Sequence, residues 1–478
     1  MGTPLLNLGS WTWIDGTGGG ASLHLPARHL VTHGVVVGMT GSGKTGLLTV
    51  LIEEALQQGV PTLVVDVKGD LPNLLLAFPS FDPAVMKPWL DSATRGSDAG
   101  PLSERARRFA TARRQSLGEW SIGEPELAHY ARNTSVRVLT PGAAAGELVH
   151  VLSSLERRSP RWGTDPDSAR QALSAAVSLV LRLLGRDPDP ASSREHVLLS
   201  VLAERRLLRG AEADLGTLMQ DVLDPPIAQI GALPVEAFLK KKERQDLAAA
   251  LNTLLASPSF ASWRQGVPLD VGEWLSPREG RTPAVVVSVA HLDDDERALV
   301  LGVLLQDVLS WVRTLPGSSQ LRALVVFDEV YGFLPPHPAN PPTKRPLVAL
   351  MKQARAFGVG VVVATQNPMD LDYRALSNAG FWALGRLQTD ADRARVVDGI
   401  GGEQGDGISN AQLGGVLKRL APRWFLVRDA HVGGAPILVH PRDTFSFLRG
   451  PMTRNEIRAA LAVSTGERVE TGGDAAPY

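Results

Sequence analysis

Short valine-rich runs recur along the chain, each closed by polar residues and separated by longer stretches of helical spacing. "HGVVV" (His33–Val37), "PTLVV" ahead of Asp66, "PAVVVSV" from Pro283, "LRALVVF" ahead of Asp328 and "VGVVVA" (Val359–Ala364) are apolar at every position or nearly so. Continuous rather than alternating apolarity predicts parallel strands covered on both faces. "GLLTVLIEEALQQG" behind the first run has helical spacing and stops at Gly59, with Pro61 beyond. A second helix is expected over about Pro346–Phe357. "FWAL" gives a further strand with Arg386 at its end, followed by a helix with acidic residues in its first turn. From Phe78 to Arg281 the pattern changes: "SARQALSAAVSLVLRLLG", "SREHVLLSVLAERRLL" and "KERQDLAAALNTLLA" read as helices, with "PDPASS" and "LDPPIAQIGALP" between them as turns. The pattern predicts an α/β fold with a mostly parallel sheet flanked by helices and a helical insertion. Its expected parts are a short β-rich segment (1–30), a core (31–78 and 283–440, with a strand near 134–142), a mainly helical insertion (79–282) and a C-terminal extension (441–478), whose tail "STGERVETGGDAAPY" is expected to be disordered.

The polar residues that close the strands carry the chemistry. After His33–Val37 comes Gly38-Met39-Thr40-Gly41-Ser42-Gly43-Lys44-Thr45-Gly46, which satisfies G-x-x-x-x-G-K-[ST] at every fixed position. Its glycines let successive N–H groups turn onto a phosphate, at the N-terminus of the helix that follows. Lys44 suits the β- and γ-oxygens, and the Thr45 hydroxyl suits Mg²⁺. ATP and Mg²⁺ are therefore the expected ligands. "LRALVVF" ends in Asp328-Glu329: the aspartate is the expected partner of Thr45 on Mg²⁺, and the glutamate suits activation of an attacking water. Gln366, at the tip of Val359–Ala364, is the candidate sensor of the γ-phosphate. Asp66 heads "DVKGD" at another strand tip, the ligand-binding edge of a parallel sheet; an outer magnesium group, a sensor and an ordinary polar strand end are all compatible with it.

The pieces "GMTGSGKT", "VVDVKGDL", "VVFDEVYGFLPP", "KQARAFGVGVVVATQNP" and "FWALGRLQTDADRARVV", in this order, resemble the HerA–FtsK superfamily of ring ATPases, and its HerA-like side in particular. "TSVRVLTPG", "FASWRQGVPLDVGEWL" and "DTFSFLRGPMT" also look like HerA-type segments. The resemblance implies a RecA-like, additional-strand P-loop core with the sensor strand between the phosphate-loop and Asp328 strands. It implies a homo-hexameric ring with ATP between subunits, translocation or helicase action on double-stranded DNA, and an arginine donated by the neighbouring subunit. Arg355 and Arg386 both fit that arginine. HerA-type helicases usually begin with a small β-barrel; "WTWIDGTGGGASLHLP" has material for a hairpin or a barrel remnant only.

Composition narrows the partners. Of 478 residues, 44% are hydrophobic and 21% charged, enough for a large core, and none is cysteine, which excludes thiolate chemistry and fits a cytoplasmic protein. No membrane span, leader or myristoylation signal is expected. The net charge of −1 leaves DNA contact to local basic clusters: Arg105–Arg114, Arg157–Trp162 and Lys240–Arg244, each of which also reads as a solvated helix face. No nuclease motif is present, so any cutting belongs to a separate nuclease partner. A secretion or conjugation ATPase with protein or nucleoprotein cargo is the alternative motor. An ATP-gated scaffold with little turnover is the non-motor alternative.

Overall fold

The computed structural model describes residues 4–90, 101–372, 376, 379–400, 409–433 and 435–465. The tail expected to be disordered, from Gly466 on, lies outside the described residues. Its main sheet has eleven strands. They are β1 (Leu5–Trp13), β2 (Ala21–Pro26), β3 (Gly34–Val37), β4 (Thr62–Asp66), β5 (Thr134–Leu139), β6 (Thr282–Ser288), β7 (Ser318–Asp328), β8 (Phe357–Thr365), β9 (Phe381–Leu384), β10 (Phe425–Asp429) and β11 (Ile437–Pro441). Their spatial order is β2-β1-β11-β10-β9-β3-β8-β7-β4-β6-β5. From β9 to β5 all neighbours run parallel, and from β9 to β2 they run antiparallel. The sensor strand β8 lies between the phosphate-loop strand β3 and β7, which is the RecA-like additional-strand order.

The valine-rich runs are buried on both faces, as their continuity requires. Val35, Val37, Leu63, Val65, Val325, Phe327, Val361 and Val363 belong to one core layer. The alternate residues Val36, Val64, Leu324, Val326 and Val362 belong to the other. Helix Lys44–Gln57 closes the second layer with Leu47, Leu48, Leu51 and Ile52. Helix Asp294–Thr314 and the insertion close the first. Each such side chain contributes about 1.5–3 kcal/mol of burial.

The insertion helices form over Pro166–Leu183, Arg194–Leu208 and Lys241–Ala256, within two residues of the starts and stops read from the pattern. The helix expected over Pro346–Phe357 spans Lys344–Gln353 and passes through a 3₁₀ turn directly into β8. The N-terminal residues make a β1–β2 hairpin that extends the sheet through β1–β11 pairing. Among the described residues, no helix is long and apolar enough to cross a membrane.

Each basic cluster keeps most of its charges exposed, Arg107, Arg108, Arg114, Arg157, Arg158 and Lys240–Lys242 among them, and sends one arginine inward. Arg161 turns inward onto Asp307, Arg244 is buried against Glu236, and Arg113 donates to the carbonyls of Thr444 and Phe445. Which arginine turns inward depends on an acceptor supplied by a distant or neighbouring segment, which the spacing of basic residues does not reveal.

Candidate active site

Parallel register lines up the strand tips. Asp328 sits beside Asp66, Asp66 beside Ser288, and Val37 lies between Thr365 and Leu384. Whatever follows these residues therefore meets at one edge of the sheet. The phosphate loop leaves β3 there. Gly38 N–H donates to Thr365 O at 3.2 Å and Met39 N–H to Arg386 O at 2.9 Å. Gly41 and Gly43 have φ of 78° and 97°, conformations that need glycine. A Cβ on Gly38 would lie 2.6 Å from Ser42 Oγ. Gly43 ends the loop and helix Lys44–Gln57 begins, so the free N–H groups of its first turn face the loop's concavity. Thr45 is half-buried on that turn, and Gly46 is open, with no atom within 4 Å of where its Cβ would be.

Lys44 is buried, and its ammonium donates to Gly38 O and Met39 O. Burial pushes it down to about 8, and nearby Lys68 adds to the effect, against the attraction of Glu329 and Asp328. Asp328 is 1% exposed, and neither carboxylate oxygen has a hydrogen-bond partner. Burial pushes it up to about 6, opposed chiefly by the Lys68 ammonium and reinforced by Glu329. A buried acid with both oxygens unsatisfied is a ready ligand for a hard cation. Among the described residues no group of three or more acidic or histidine side chains could cage a metal unaided. That fits Mg²⁺, which is usually held by one or two protein oxygens together with substrate phosphates and water.

Glu329 follows at φ 58°, a left-handed conformation unusual for glutamate. Its Oε1 accepts from Gln366 N–H at 3.2 Å and Thr365 Oγ1 at 3.3 Å, and its Oε2 pairs with Lys68 Nζ at 2.5 Å. The Gln366 side chain accepts from Thr40 Oγ1 at 2.7 Å, joining the sensor strand to the phosphate loop. The structure thus brings Lys44, Asp328, Glu329, Gln366 and the loop together. Asp66 is placed differently from a nucleotide-facing group. It is fully buried and accepts from Gly69 N–H and Ser288 Oγ, both at 2.9 Å. Its contacts shape the turn that carries Lys68.

The two candidate arginines separate. Arg386 is exposed beside its own phosphate loop, through the Met39 contact. Arg355 is exposed ahead of the first residue of β8, so it lies at the opposite edge of the sheet, roughly 30 Å along the strand.

Three features escape the motifs. Lys68 is the partner of Glu329 across 261 positions. Arg423, at φ 66°, donates its N–H to Ser42 O at 2.9 Å, backs onto Gly43 and pairs with Asp443. A cavity of about 490 Å³ opens beside Gly43 and Gly46, walled by Phe109, Arg113, Arg423 and the segment 441–448. Lys68 itself lies within the motif "DVKGD", but its pairing with Glu329 and the other two features depend on contacts between distant segments.

Comparison with known proteins agrees with the geometry. The HerA-like C-terminal helicase family model matches residues 15–79. No curated protein matches the chain. Among solved structures, VirB4 of Thermoanaerobacter pseudethanolicus superposes with a TM-score of 0.52 at 13% identity, over 91% of this chain and 96% of that one. The bacterial conjugative coupling protein TrwB aligns with a TM-score of 0.49 at 15% identity, over 94% and 91%. The additional-strand sheet and the complete phosphate loop with Asp328-Glu329 beyond β8 give the chain a RecA-like P-loop ATPase fold, and over residues 15–79 it is similar to the HerA-like helicase family.

Proposed function

We propose that the protein is a magnesium-dependent ATP phosphohydrolase that works as one subunit of a homo-hexameric ring moving double-stranded DNA. The observation that carries the hydrolytic part is Asp328, buried with two unpartnered oxygens beside the tip that bears Glu329. Thr45 and Asp328 would hold Mg²⁺, which would supply positive charge against the phosphates. The backbone N–H groups of Gly41–Thr45 cradle the phosphates, and Lys44 swings from its carbonyl contacts onto them. Glu329 orients the attacking water and receives its proton. Gln366, tied to Thr40 and Glu329, registers the γ-phosphate. Arg386 serves its own site from the loop's flank, whereas Arg355, on the far edge, is the arginine that can reach a neighbouring subunit's nucleotide. Each such charge aimed at the transition state is worth several kcal/mol, in the range of about 3–4 for one oxyanion donor.

The ring and its DNA cargo are tested by phosphate release. Expected is an ATPase rate per subunit that rises with protein concentration and rises again with duplex DNA. A rate independent of concentration down to a demonstrated monomer rejects the ring, and a DNA-insensitive rate rejects the DNA cargo in favour of a protein or nucleoprotein. Tight ATP binding with negligible turnover under every condition would favour the ATP-gated scaffold.

A further inference from the structure

The water-activating carboxylate is not free in this structure. Three donors occupy Glu329: Gln366 N–H and Thr365 Oγ1 on one oxygen, and the Lys68 ammonium at 2.5 Å on the other. Two of these donors belong to β8 and its tip, so they are fixed with the sheet. Lys68 is not. Its backbone sits on a turn pinned by Asp66 to Gly69 N–H, by Gly69 O to Met452 N–H at 3.0 Å, and by the left-handed φ of 88° at Gly69. From that anchored turn a four-carbon stem carries the ammonium, 29% exposed on its side chain, to the mouth of the site. Its charge reaches past Glu329 to Asp328 and Lys44. A lysine able to act on all three groups lies beside the phosphate loop's own lysine and the two strand-tip acids.

We propose that Lys68 is a positioning residue that restrains Glu329 and transfers its ammonium to the γ-phosphate of a bound nucleoside triphosphate, so that the base is released only when a γ-phosphate is present. A phosphate with about two negative charges and three acceptor oxygens competes well against one carboxylate for a single ammonium. A diphosphate offers nothing at that position, and the clamp on Glu329 persists. The site then distinguishes triphosphate from diphosphate through this chain's own lysine, independently of any neighbour.

This inference rests on the ATPase reading, and the experiment separates the two. ADP and ATPγS are titrated calorimetrically, with Mg²⁺, into the full chain and into Lys68→Met, Lys68→Arg and Glu329→Gln. The wild type binds both; failure to bind either rejects the ATPase reading itself. Lys68→Met is expected to keep ADP affinity within about twofold and lose about tenfold for ATPγS, the scale of one charge-assisted hydrogen bond. Lys68→Arg restores most of the loss. Glu329→Gln, which removes the competing charge, tightens ATPγS severalfold relative to ADP, and this arm carries the test even if Lys68→Met does not fold. Equal changes for ADP and ATPγS in Lys68→Met, or no relative gain in Glu329→Gln, overturn the proposal.

Discussion

The insertion with the helix beneath it and the tips of the core strands bury acids in opposite ways. In the insertion, Glu156 is 4% exposed and accepts from His150, Arg264 and Leu215 N–H. Burial works to raise its pKa, but His150 and Arg264 prevail and lower it. Asp307, on the long helix beneath the insertion, is also buried and fully engaged, by Arg161 and by Val271 N–H at 2.9 Å. At the tips of the core strands, Asp328 has no hydrogen-bond partner, and Asp66 has neutral donors only: the Ser288 hydroxyl and the Gly69 and Leu71 N–H groups. A buried acid without compensation costs stability, so its persistence needs a reason outside the free protein. The paired acids hold elements together. The strand-tip acids, with no ion-pair partner of their own, suit positive charge that a ligand would bring.

The largest test of that contrast concerns turnover. Lys44→Ala removes the ammonium proposed to meet the phosphates and is expected to cut ATP hydrolysis at least about 100-fold. Glu329→Gln should stop hydrolysis to a similar extent yet retain ATP, leaving a trapped complex that gel filtration with labelled nucleotide detects. Near-normal phosphate release by Glu329→Gln would show that the base is another residue, and the core acids would lose their distinct status.

These assignments differ in how far the sequence exposes them. Phosphate loop, Asp328-Glu329 and Gln366 are legible because each is a contiguous polar tip on a continuously apolar strand, and parallel pairing brings such tips to one edge. The strands themselves are legible for the same reason, and so are the insertion helices with their own apolar periodicity. What pairs across the chain is not. Nothing near Lys68 announces Glu329, and nothing near Arg423 announces Ser42. Arg161 and Arg244 look like members of solvated basic clusters, yet both fold inward, because their partners Asp307 and Glu236 are supplied by tertiary packing and a turn. Arg355 and Arg386 lie at opposite edges of the sheet, a separation that the strand directions give and neither motif reveals.

On the structural side of the contrast, Arg161→Leu should leave Asp307 buried without its cation. Breaking such a pair costs about 3–5 kcal/mol. Because burial already holds Asp307 above the usual carboxylate range, it can take up a proton when its partner goes, so the lower end is expected. Urea unfolding at pH 7 reads the loss, while ADP affinity of the folded fraction stays within about twofold. A matching loss of ADP affinity would mean that the insertion's ion pairs also shape the nucleotide site.

The last expected effect is the most direct probe of an uncompensated acid. Asp66→Asn keeps an acceptor for Gly69 N–H, and its new amide can donate to the Ser288 hydroxyl, so the turn survives. Burial pushes Asp66 up to about 7 from an ordinary value of 3.8, which means the folded protein favours the protonated form. The cost of ionising it is absent below pH 3.8, grows between 3.8 and 7, and is complete above 7. The asparagine variant carries no such cost. Without nucleotide or Mg²⁺, the two proteins should be nearly equally stable at pH 4, and the variant should be the more stable at pH 8, by roughly 4 kcal/mol. Chemical denaturation at the two pH values gives the difference directly. A gap that stays flat with pH would mean that Ser288 and Gly69 compensate Asp66 as fully as Arg264 and His150 compensate Glu156, and the division between holding acids and waiting acids would then rest on Asp328 alone.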